Sequence, residues 1–166
     1  MCPSINSPVI EMLQHESIPY DVIEIPLTED KKPVRNLEEL LLKRGIDPQS
    51  VVRSVLFKTA SGNFVLLAVA GGGRADWGVL RKHLNERKCR MAELDEVAEA
   101  TGYVVGAVPP IALPKDIKVL VDNSMKSYET VVIGSGVLGF AISLKGADLL
   151  KLLGDADQGV FASGDQ

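Results

Sequence analysis

Apolar positions along the chain follow two patterns, helical spacing and short, nearly continuous runs. Helical spacing predicts five helices, over residues 4–15, 37–44, 76–85, 92–101 and 147–153. Alternation or apolar runs predict six strands, over residues 20–25, 51–59, 63–70, 117–121, 130–133 and 138–144. Two of these strands, 51–59 and 63–70, are apolar almost throughout and flank a three-residue turn. They are therefore expected to form a hairpin in the centre of a sheet that is covered on both faces.

Residues typical of helix ends agree with these boundaries. Asn36 and Glu39 have the spacing of a capping box, and Gly45 suits the left-handed position after the same helix. Asp76 is placed to cap the third helix, and Gly102 to end the fourth.

The strands arrive partly as hairpins rather than in strict β-α-β alternation, which predicts a mixed α/β (α+β) fold. We expect a single domain with a mixed, largely antiparallel central sheet flanked by helices. No repeat or linker divides the chain. Residues 1–154 are expected to form the domain, and residues 155–166, which are polar and glycine-rich, a flexible tail.

Composition and charge exclude several classes of protein. The chain has 166 residues, of which 46% are hydrophobic and 24% charged, as in one soluble globular domain. A net charge of −4 argues against a dedicated duplex-DNA binder, and 5% aromatic residues argue against a stacking platform for single strands. We find no signal-peptide pattern, and the longest apolar run, 64–70, is too short to span a membrane. A cytoplasmic protein without a membrane partner is expected.

Two cysteines and two histidines limit the chemistry further. Cys2 and Cys89 lie far apart and have no Cys-x-x-Cys partner, so we expect no metal site and no disulfide framework. His15 and His83 lie in predicted helices, and neither is next to a nucleophile in a Gly-x-Ser-x-Gly elbow. Hydrolysis would have to depend on positioning and backbone donors that act on an already activated substrate.

Two glycine-rich segments each allow two interpretations. The segment 134–139 matches the nucleotide motif G-x-G-x-x-G, but the residues after it favour a strand, whereas the motif requires a helix. A glycine turn that lines a pocket is the preferred interpretation. The segment 71–73 precedes a predicted helix, so it is either a phosphate site or a flexible connection.

Two further segments carry candidate functional residues. Residues 74–90 contain six basic and two acidic side chains, which indicates either a solvated face or a weak contact surface for one arm of an RNA. Residues 102–110 are apolar but contain two glycines and two prolines, so they cannot form a central strand. This segment is either a buried turn or a rigid loop that fixes backbone N–H groups in space.

Several segments together resemble the YbaK/EbsC family, the domain associated with prolyl-tRNA synthetase editing. The sequence VVRSVLF at 51–57 resembles the family's strand V-x-K-T-L-L-V. The sequence TGYVVGAVPP at 101–110 resembles its T-G-Y-x-x-G-x-x-x-P loop. Residues 119–122 resemble a strand that ends in Asp, and residues 134–142 with 148–150 resemble the closing hairpin and helix. The likeness extends over about residues 8–154.

The resemblance implies a hydrolase that cleaves the ester of a mischarged tRNA without a metal or cofactor, assisted by the 2′-hydroxyl of the terminal adenosine. Arg53 stands in the position of the family's functional lysine. The loop that orients the ester and water corresponds to Gly106, Ala107, Val108 and Pro110. The residues implied to bind the aminoacyl group are Ile25, Gly134, Ser135, Gly136 and Ala141.

The implied partner is the 3′ end of an aminoacyl-tRNA, bound weakly, with an aminoacyl-tRNA synthetase as a further candidate. Contacts to the tRNA are expected from Arg74, Arg81, Lys82 and Lys88. DNA is not expected as a partner. The members of the family that act on cysteinyl-tRNA carry an Asp where this chain has Ala141, so the resemblance does not extend to cysteine specificity.

Two alternatives to the hydrolase stay open at this point. The change from Lys to Arg at position 53 favours a non-catalytic binding or regulatory module that keeps the same pocket. A nucleotide-dependent enzyme that uses residues 134–139 is the other alternative. Lys58 is a poor substitute for the missing lysine, because an odd offset along a strand places it on the face opposite Arg53.

Overall fold

The computed structural model describes residues 6–25, 37–43, 45–70, 74–103, 107–114, 116–154 and 156–163. The helices in this part of the chain are α1 (Pro8–His15), α2 (Leu37–Lys43), α3 (Trp77–Leu84), α4 (Leu94–Thr101) and α5 (Gly146–Leu153). The first five strands are β1 (Asp21–Glu24), β2 (Arg53–Thr59), β3 (Phe64–Val69), β4 (Arg74–Ala75) and β5 (Cys89–Met91). The other five are β6 (Lys118–Asp122), β7 (Thr130–Gly134), β8 (Phe140–Lys145), β9 (Asp157–Gly159) and β10 (Ala162–Ser163).

The strands form a mixed arrangement in which antiparallel pairs predominate, as predicted. A five-stranded sheet has the order β5-β2-β3-β6-β9, with the predicted hairpin β2-β3 inside it. The pairs β3-β6 and β6-β9 are parallel, whereas β2 is antiparallel to both of its neighbours. A three-stranded antiparallel sheet has the order β1-β8-β7, and β4 pairs with β10.

The two larger sheets meet at the residues that precede β2. Val51 forms an isolated parallel bridge with Val132 of β7, and the Val52 N–H donates to the Val132 carbonyl over 2.7 Å. The prediction extended β2 back to Val51, but these residues connect the sheets instead. The main core fills the space between them, where Val52 and Ala68 pack with Ile133 and Ile142.

Alternation along β2 separates the two faces of the five-stranded sheet. Phe57 lies in a core cluster with Leu80 of α3, and the Phe57 ring meets the Trp77 ring edge-on at 5.4 Å. Leu56 lies in a different cluster, with Val97 of α4. Since α3 and α4 cover opposite faces, both faces of the central hairpin are buried, as its apolar sequence predicts.

Several helix ends are set by the residues that the sequence singles out. The Asp76 carboxylate accepts a hydrogen bond from the Val79 N–H at the start of α3, and both Gly45 and Gly102 have positive φ angles. The predicted start of α1 at residue 4 is wrong, because the Ser7 side chain caps the helix and Pro8 is its first residue. The predicted cap at Asn36 lies outside the described residues.

The strand β5 is absent from the predicted elements, and α4 begins two residues later than predicted. Arg90 and Met91 are exposed, so this edge strand lacks the apolar run that would reveal it. Glu93 and Glu96 form a capping box that fixes the helix start.

The C-terminal segment also differs from the prediction of a loose tail, since residues 157–159 and 162–163 form strands. Phe161 is 3% exposed in the core cluster beneath α3. The Asp122 carboxylate accepts hydrogen bonds from the Phe161 and Ala162 N–H groups, over 2.8 and 3.0 Å. The polar composition of this segment gave no sign that Phe161 is buried in the core, or that the distant Asp122 carboxylate binds the backbone there.

Glu96 fixes α4 to the edge of the five-stranded sheet. Its carboxylate accepts two hydrogen bonds from Arg90, over 2.7 and 3.0 Å, and one from the Glu93 N–H over 3.0 Å. The Lys58 ammonium lies 3.6 Å away, on the face opposite Arg53 as expected from the strand alternation. Hydrogen bonds from Arg90 and from the Glu93 backbone lower the pKa of Glu96 from its ordinary value near 4.5 to about 2.

We therefore predict a specific pH dependence for the replacement Glu96→Gln. A carboxylate whose pKa is lowered by folding stabilises the protein fully above its unfolded pKa, and this contribution disappears as the pH falls to about 2. The replacement should lower the urea midpoint at pH 7, and the difference from wild type should shrink below about pH 4.5. Glu99→Gln on the exposed side of α4 is the control. A difference that stays constant down to about pH 2 would show that the ionised carboxylate is not the cause.

Candidate functional site

A cavity of about 760 Å³ opens where β2, β7, β8 and α4 come together. Its lining is apolar except for Arg53 and Ser54, among the residues that the structure describes. The apolar lining residues are Ile25, Leu41, Val51, Val52, Val55, Leu56, Met91, Ala92, Leu94, Val97, Val108, Val132, Ile133, Gly134, Phe140 and Ala141. A cavity of this size and composition is typical of a small-ligand site, in which a few polar groups orient the ligand.

The two polar residues of the lining are neighbours on β2 but have different surroundings. Arg53 is exposed, and by strand alternation it shares a face with Val55 and Phe57. Ser54 shares the opposite face with Leu56, towards α4. The Ser54 hydroxyl is buried and has no hydrogen-bond partner within the described residues. A buried hydroxyl without a partner costs free energy, so this group is available to a ligand.

One wall of the cavity depends on a close approach between Gly134, at the end of β7, and residues 107–108. A Cβ atom on Gly134 would lie 2.5 Å from the Val108 carbonyl oxygen and 2.9 Å from that of Ala107. Two residues on, the Gly136 N–H donates to the Ala107 carbonyl over 2.9 Å. Because only glycine leaves room for this contact, the sequence at Gly134 fixes the position of the 107–108 backbone.

Tyr103 supports the same region from behind the wall. A Cβ atom on Gly136 would lie 2.9 Å from the Tyr103 ring, and Gly136 has a φ of +87°. The Tyr103 hydroxyl donates to the Ala112 carbonyl over 2.7 Å, and burial raises the pKa of this phenol. The Thr101 hydroxyl accepts from the Tyr103 N–H over 3.0 Å. The tyrosine therefore connects the end of α4, the glycine turn and the chain beyond Pro110.

The turn between β7 and β8 has its own internal support. The buried Ser135 hydroxyl accepts from the Val137 N–H over 3.0 Å and lies within bonding distance of the Val137 and Phe140 carbonyls. The Ser135 carbonyl accepts from the Ser7 hydroxyl over 2.7 Å. Residues 134–139 thus join two antiparallel strands, and no helix begins there. This is the glycine turn that the sequence favours, and it lacks the helix N-terminus of a dinucleotide site.

A sequence model described as "Aminoacyl-tRNA editing domain" matches residues 31–152, which is more than half of the chain. The protein belongs to this editing-domain family. Among curated relatives, a proline–tRNA ligase of Thermotoga maritima is 30% identical over 112 residues, 67% of this chain but 19% of that protein. The chain thus matches about a fifth of the length of such ligases.

Two further relatives match the editing domain over most of their length. EbsC of Enterococcus faecalis, named as a candidate Cys-tRNA(Pro)/Cys-tRNA(Cys) deacylase, is 22% identical over 86% of this chain and 85% of its own. A solved structure described as a candidate trans-editing enzyme for prolyl-tRNA synthetase superposes with a TM-score of 0.76. It is 23% identical and covers 97% of this chain and all of the other, so the fold is shared.

The editing domain gathers about half of the predicted site residues around the cavity and leaves the others outside its lining. Five line the cavity: Arg53, Val108, Ile25, Gly134 and Ala141. Gly106 lies outside the described residues. Four are described but are absent from the lining: Ala107, Pro110, Ser135 and Gly136. In particular, the hydroxyl of Ser135 is engaged within the turn and does not face the cavity.

The basic residues predicted to contact tRNA lie outside the cavity lining. Arg74 is in β4, Arg81 and Lys82 are on α3, and Lys88 precedes β5. Arg81 is half-buried and the other three are exposed. By strand alternation Arg53 falls on the face of the five-stranded sheet that α3 covers, the helix that carries Arg81 and Lys82.

Ser54 is the polar lining residue that sequence reasoning missed. It stands within the V-x-K-T-L-like strand, next to Arg53, but a serine in a strand gives no sign of whether its hydroxyl is bonded. Whether the Ser54 hydroxyl is bonded depends on residues that are distant in sequence and lie across the cavity from it.

No helix among the described residues is long and apolar enough to cross a membrane.

The close approach at Gly134 gives a testable prediction. Gly134→Ala should destabilise the domain by about 1–3 kcal/mol, because the added methyl meets backbone rather than a movable side chain. We also expect the 107–108 backbone to shift, which should appear as changed amide chemical shifts in this segment.

Gly78→Ala is the matched control. Gly78 lies inside α3, where an added Cβ has an ordinary contact of 3.5 Å with Asp76. Alanine there should stabilise the helix by about 0.5–1 kcal/mol. Equal urea midpoints for Gly134→Ala and wild type would contradict the argument.

Proposed function

We propose that this editing domain acts in trans as an aminoacyl-tRNA deacylase, which hydrolyses the ester of a mischarged tRNA. The observation that carries the proposal is the apolar cavity whose lining includes Arg53, Ser54 and the fixed backbone at Val108. Family membership supports the substrate class. The match over 85% of the length of EbsC, which is named as a deacylase, supports action in trans.

The deep part of the cavity would hold the aminoacyl group. Its walls there are formed by buried apolar side chains, including Val132, Ile133 and Ala141, which are 3%, 1% and 6% exposed. Such walls favour an aminoacyl group with an uncharged side chain, since a charge would lose its hydration without a partner. Ala141 also offers no carboxylate where members specific for cysteine carry one.

The proposed reaction needs no side-chain nucleophile. A water molecule attacks the ester carbonyl carbon, the bond from that carbon to the 3′-oxygen breaks, and the 3′-oxygen takes up the proton that the water loses. The 2′-hydroxyl of the terminal ribose assists this transfer. Backbone N–H groups of Gly106, Ala107 and Val108 would stabilise the charge that develops on the carbonyl oxygen, with Pro110 as a brace. The contact with Gly134 supports this role, because a preorganised donor needs a fixed backbone.

Arg53 and Ser54 would position the substrate at the edge of the cavity. The exposed Arg53 guanidinium can form a bidentate contact with a phosphate near the 3′ end. The unpartnered Ser54 hydroxyl lies on the α4 side and would bond to the aminoacyl ester or its amino group. Neither group has to exchange a proton with the substrate in this scheme.

The acceptor arm would continue over the basic residues on the same side of the sheet. Arg74, Lys82 and Lys88 are exposed, with Arg81 beside them on α3. Arg90 belongs to the same basic segment, but Glu96 already binds it through two hydrogen bonds. A few such contacts support weak, salt-dependent binding rather than a tight complex. A synthetase partner stays a prediction.

The second candidate function is a binding or regulatory module without turnover. Arg53 in place of the family's lysine favours it, because a guanidinium is not equivalent to a compact ammonium group. Tight binding of a non-hydrolysable aminoacyl-adenosine without deacylation of any tRNA would identify this function.

A panel of mischarged tRNAs tests the proposed activity directly. Wild type should deacylate at least one member of the panel well above background. Arg53→Ala should lower kcat/KM by about 10- to 100-fold, because it removes a charge-assisted contact. Arg53→Lys is the matched variant, which keeps the charge without the bidentate geometry and should lose less activity than Arg53→Ala. Folded protein that hydrolyses no member of the panel would overturn the proposal, and an unaffected Arg53→Ala would remove Arg53 from the site.

Ser54→Ala separates a ligand contact from a structural role. Because the Ser54 hydroxyl has no hydrogen-bond partner in the part of the chain that the structure describes, its removal should leave the urea midpoint unchanged or raise it. Deacylation should fall about tenfold as one hydrogen bond to the substrate is lost.

Ser50→Ala is the control, since the buried Ser50 hydroxyl donates to the Asp47 carbonyl over 2.6 Å. It should cost about 1 kcal/mol of stability and leave activity intact. Full activity in Ser54→Ala would exclude the contact.

A further inference from the structure

Two large apolar side chains at the cavity are uncovered, and nothing in the described part of the chain packs over them. Met91 is 54% exposed and Leu94 is 73% exposed, and both line the cavity. The other exposed large apolar residues in that part of the chain are Leu42, Val79 and Val160, and none of these lines the cavity. Exposed apolar surface next to a ligand cavity indicates that a bound group covers it.

The backbone that carries these two side chains is fixed by hydrogen bonds to β2, to Arg90 and within the capping box of α4. The Ala92 N–H donates to the Leu56 carbonyl over 3.0 Å, which ties the segment to β2. Arg90 donates to the Met91 carbonyl over 3.1 Å while it also binds Glu96. Leu94 follows the capping box as the first residue of α4. Both side chains therefore extend into the cavity lining from a fixed backbone, which is the preorganisation that a binding site needs.

We infer that Met91 and Leu94 form the site for the base of the substrate's terminal nucleoside, a purine in the case of tRNA. This inference rests on the proposed function. In that proposal the aminoacyl group lies against the buried walls, the ribose follows it, and the base lies outermost. Deep lining residues such as Leu41 and Leu56 are 1% and 4% exposed, whereas Met91 and Leu94 lie at the open side. A flat, aromatic base would bury their apolar surface.

The chemistry of the surface suits one base rather than a run of bases. A thioether and an aliphatic side chain can both pack on the π-face of a base, and they do so without selecting its hydrogen-bonding edge. The low aromatic content of the chain excludes a long stacking platform but not a single stacking site of this kind. The charge of Arg53 at the same cavity would hold the adjoining phosphate.

Binding of two nucleotide probes to the whole chain tests the inference without any need for activity. Adenosine 5′-monophosphate and ribose 5-phosphate share the sugar and phosphate and differ in the base. Wild type should bind the first at least about fivefold more tightly, as measured by titration of amide chemical shifts. The double replacement Met91→Ser with Leu94→Ser should abolish this preference and leave the affinity for ribose 5-phosphate unchanged.

Leu42→Ser is the matched control. It removes an equally exposed side chain from α2, away from the cavity lining, and should keep the wild-type preference for the base. Equal affinity of wild type for the two probes would overturn the inference. So would a wild-type dimer that the double replacement converts to monomer, because a second copy of the chain would then cover these residues.

Kinetics distinguish this inference from the proposed function. With a tRNA that wild type deacylates, the double replacement should raise KM about fivefold and leave kcat unchanged. If wild type prefers adenosine 5′-monophosphate but deacylates no tRNA, the proposed activity fails and the base site stands. If deacylation proceeds with an unchanged KM in the double variant, the activity stands and the base site is wrong.

Discussion

The absence of a side chain at Gly134 is the constraint on which the site depends. The carbonyl groups of Ala107 and Val108 pack so closely against the end of β7 that a Cβ atom there would overlap them. Close packing of backbone on backbone leaves few alternative positions, since neither side can rotate away as a side chain would. The position of the wall at residues 107–108 is therefore set by the backbone at the end of β7 rather than by side-chain contacts.

The opposite wall is fixed by a different kind of interaction. Glu96 gathers Arg90, the start of α4 and Lys58 around one carboxylate, and this holds the segment that bears Met91 and Leu94. Sterics hold one side of the cavity and charge-assisted hydrogen bonds hold the other. The two sides should accordingly respond to different perturbations, the first to added volume and the second to pH or salt.

Local sequence signals predicted the elements well where the relevant physics is local. Asp76 accepts the hydrogen bond of an N-cap, Gly45 adopts a positive φ, and the apolar hairpin lies in the centre of its sheet. The sequence-based predictions were wrong where the structure of a segment depends on residues that are distant in the chain. The edge strand β5 is polar and is defined by its pairing with β2, and residues near Phe161 are held by the Asp122 carboxylate, some forty positions earlier in the chain.

The site shows the same division between local and distant determinants. Resemblance to a family singled out Arg53 and Gly134, which line the cavity, and also Ser135, which does not. The Ser135 hydroxyl instead forms hydrogen bonds within its own turn. Ser54 gave no signal in the sequence, because the surroundings of a hydroxyl depend on residues that approach it only in three dimensions, and among the described residues none bonds to it. With only Arg53 and Ser54 as polar groups in the described lining, the cavity can bind and orient a substrate but has no side chain suited to nucleophilic attack. The proposed deacylation therefore depends on a substrate that contributes its own assisting hydroxyl, and such a requirement would restrict the proposed activity to esters of a ribose.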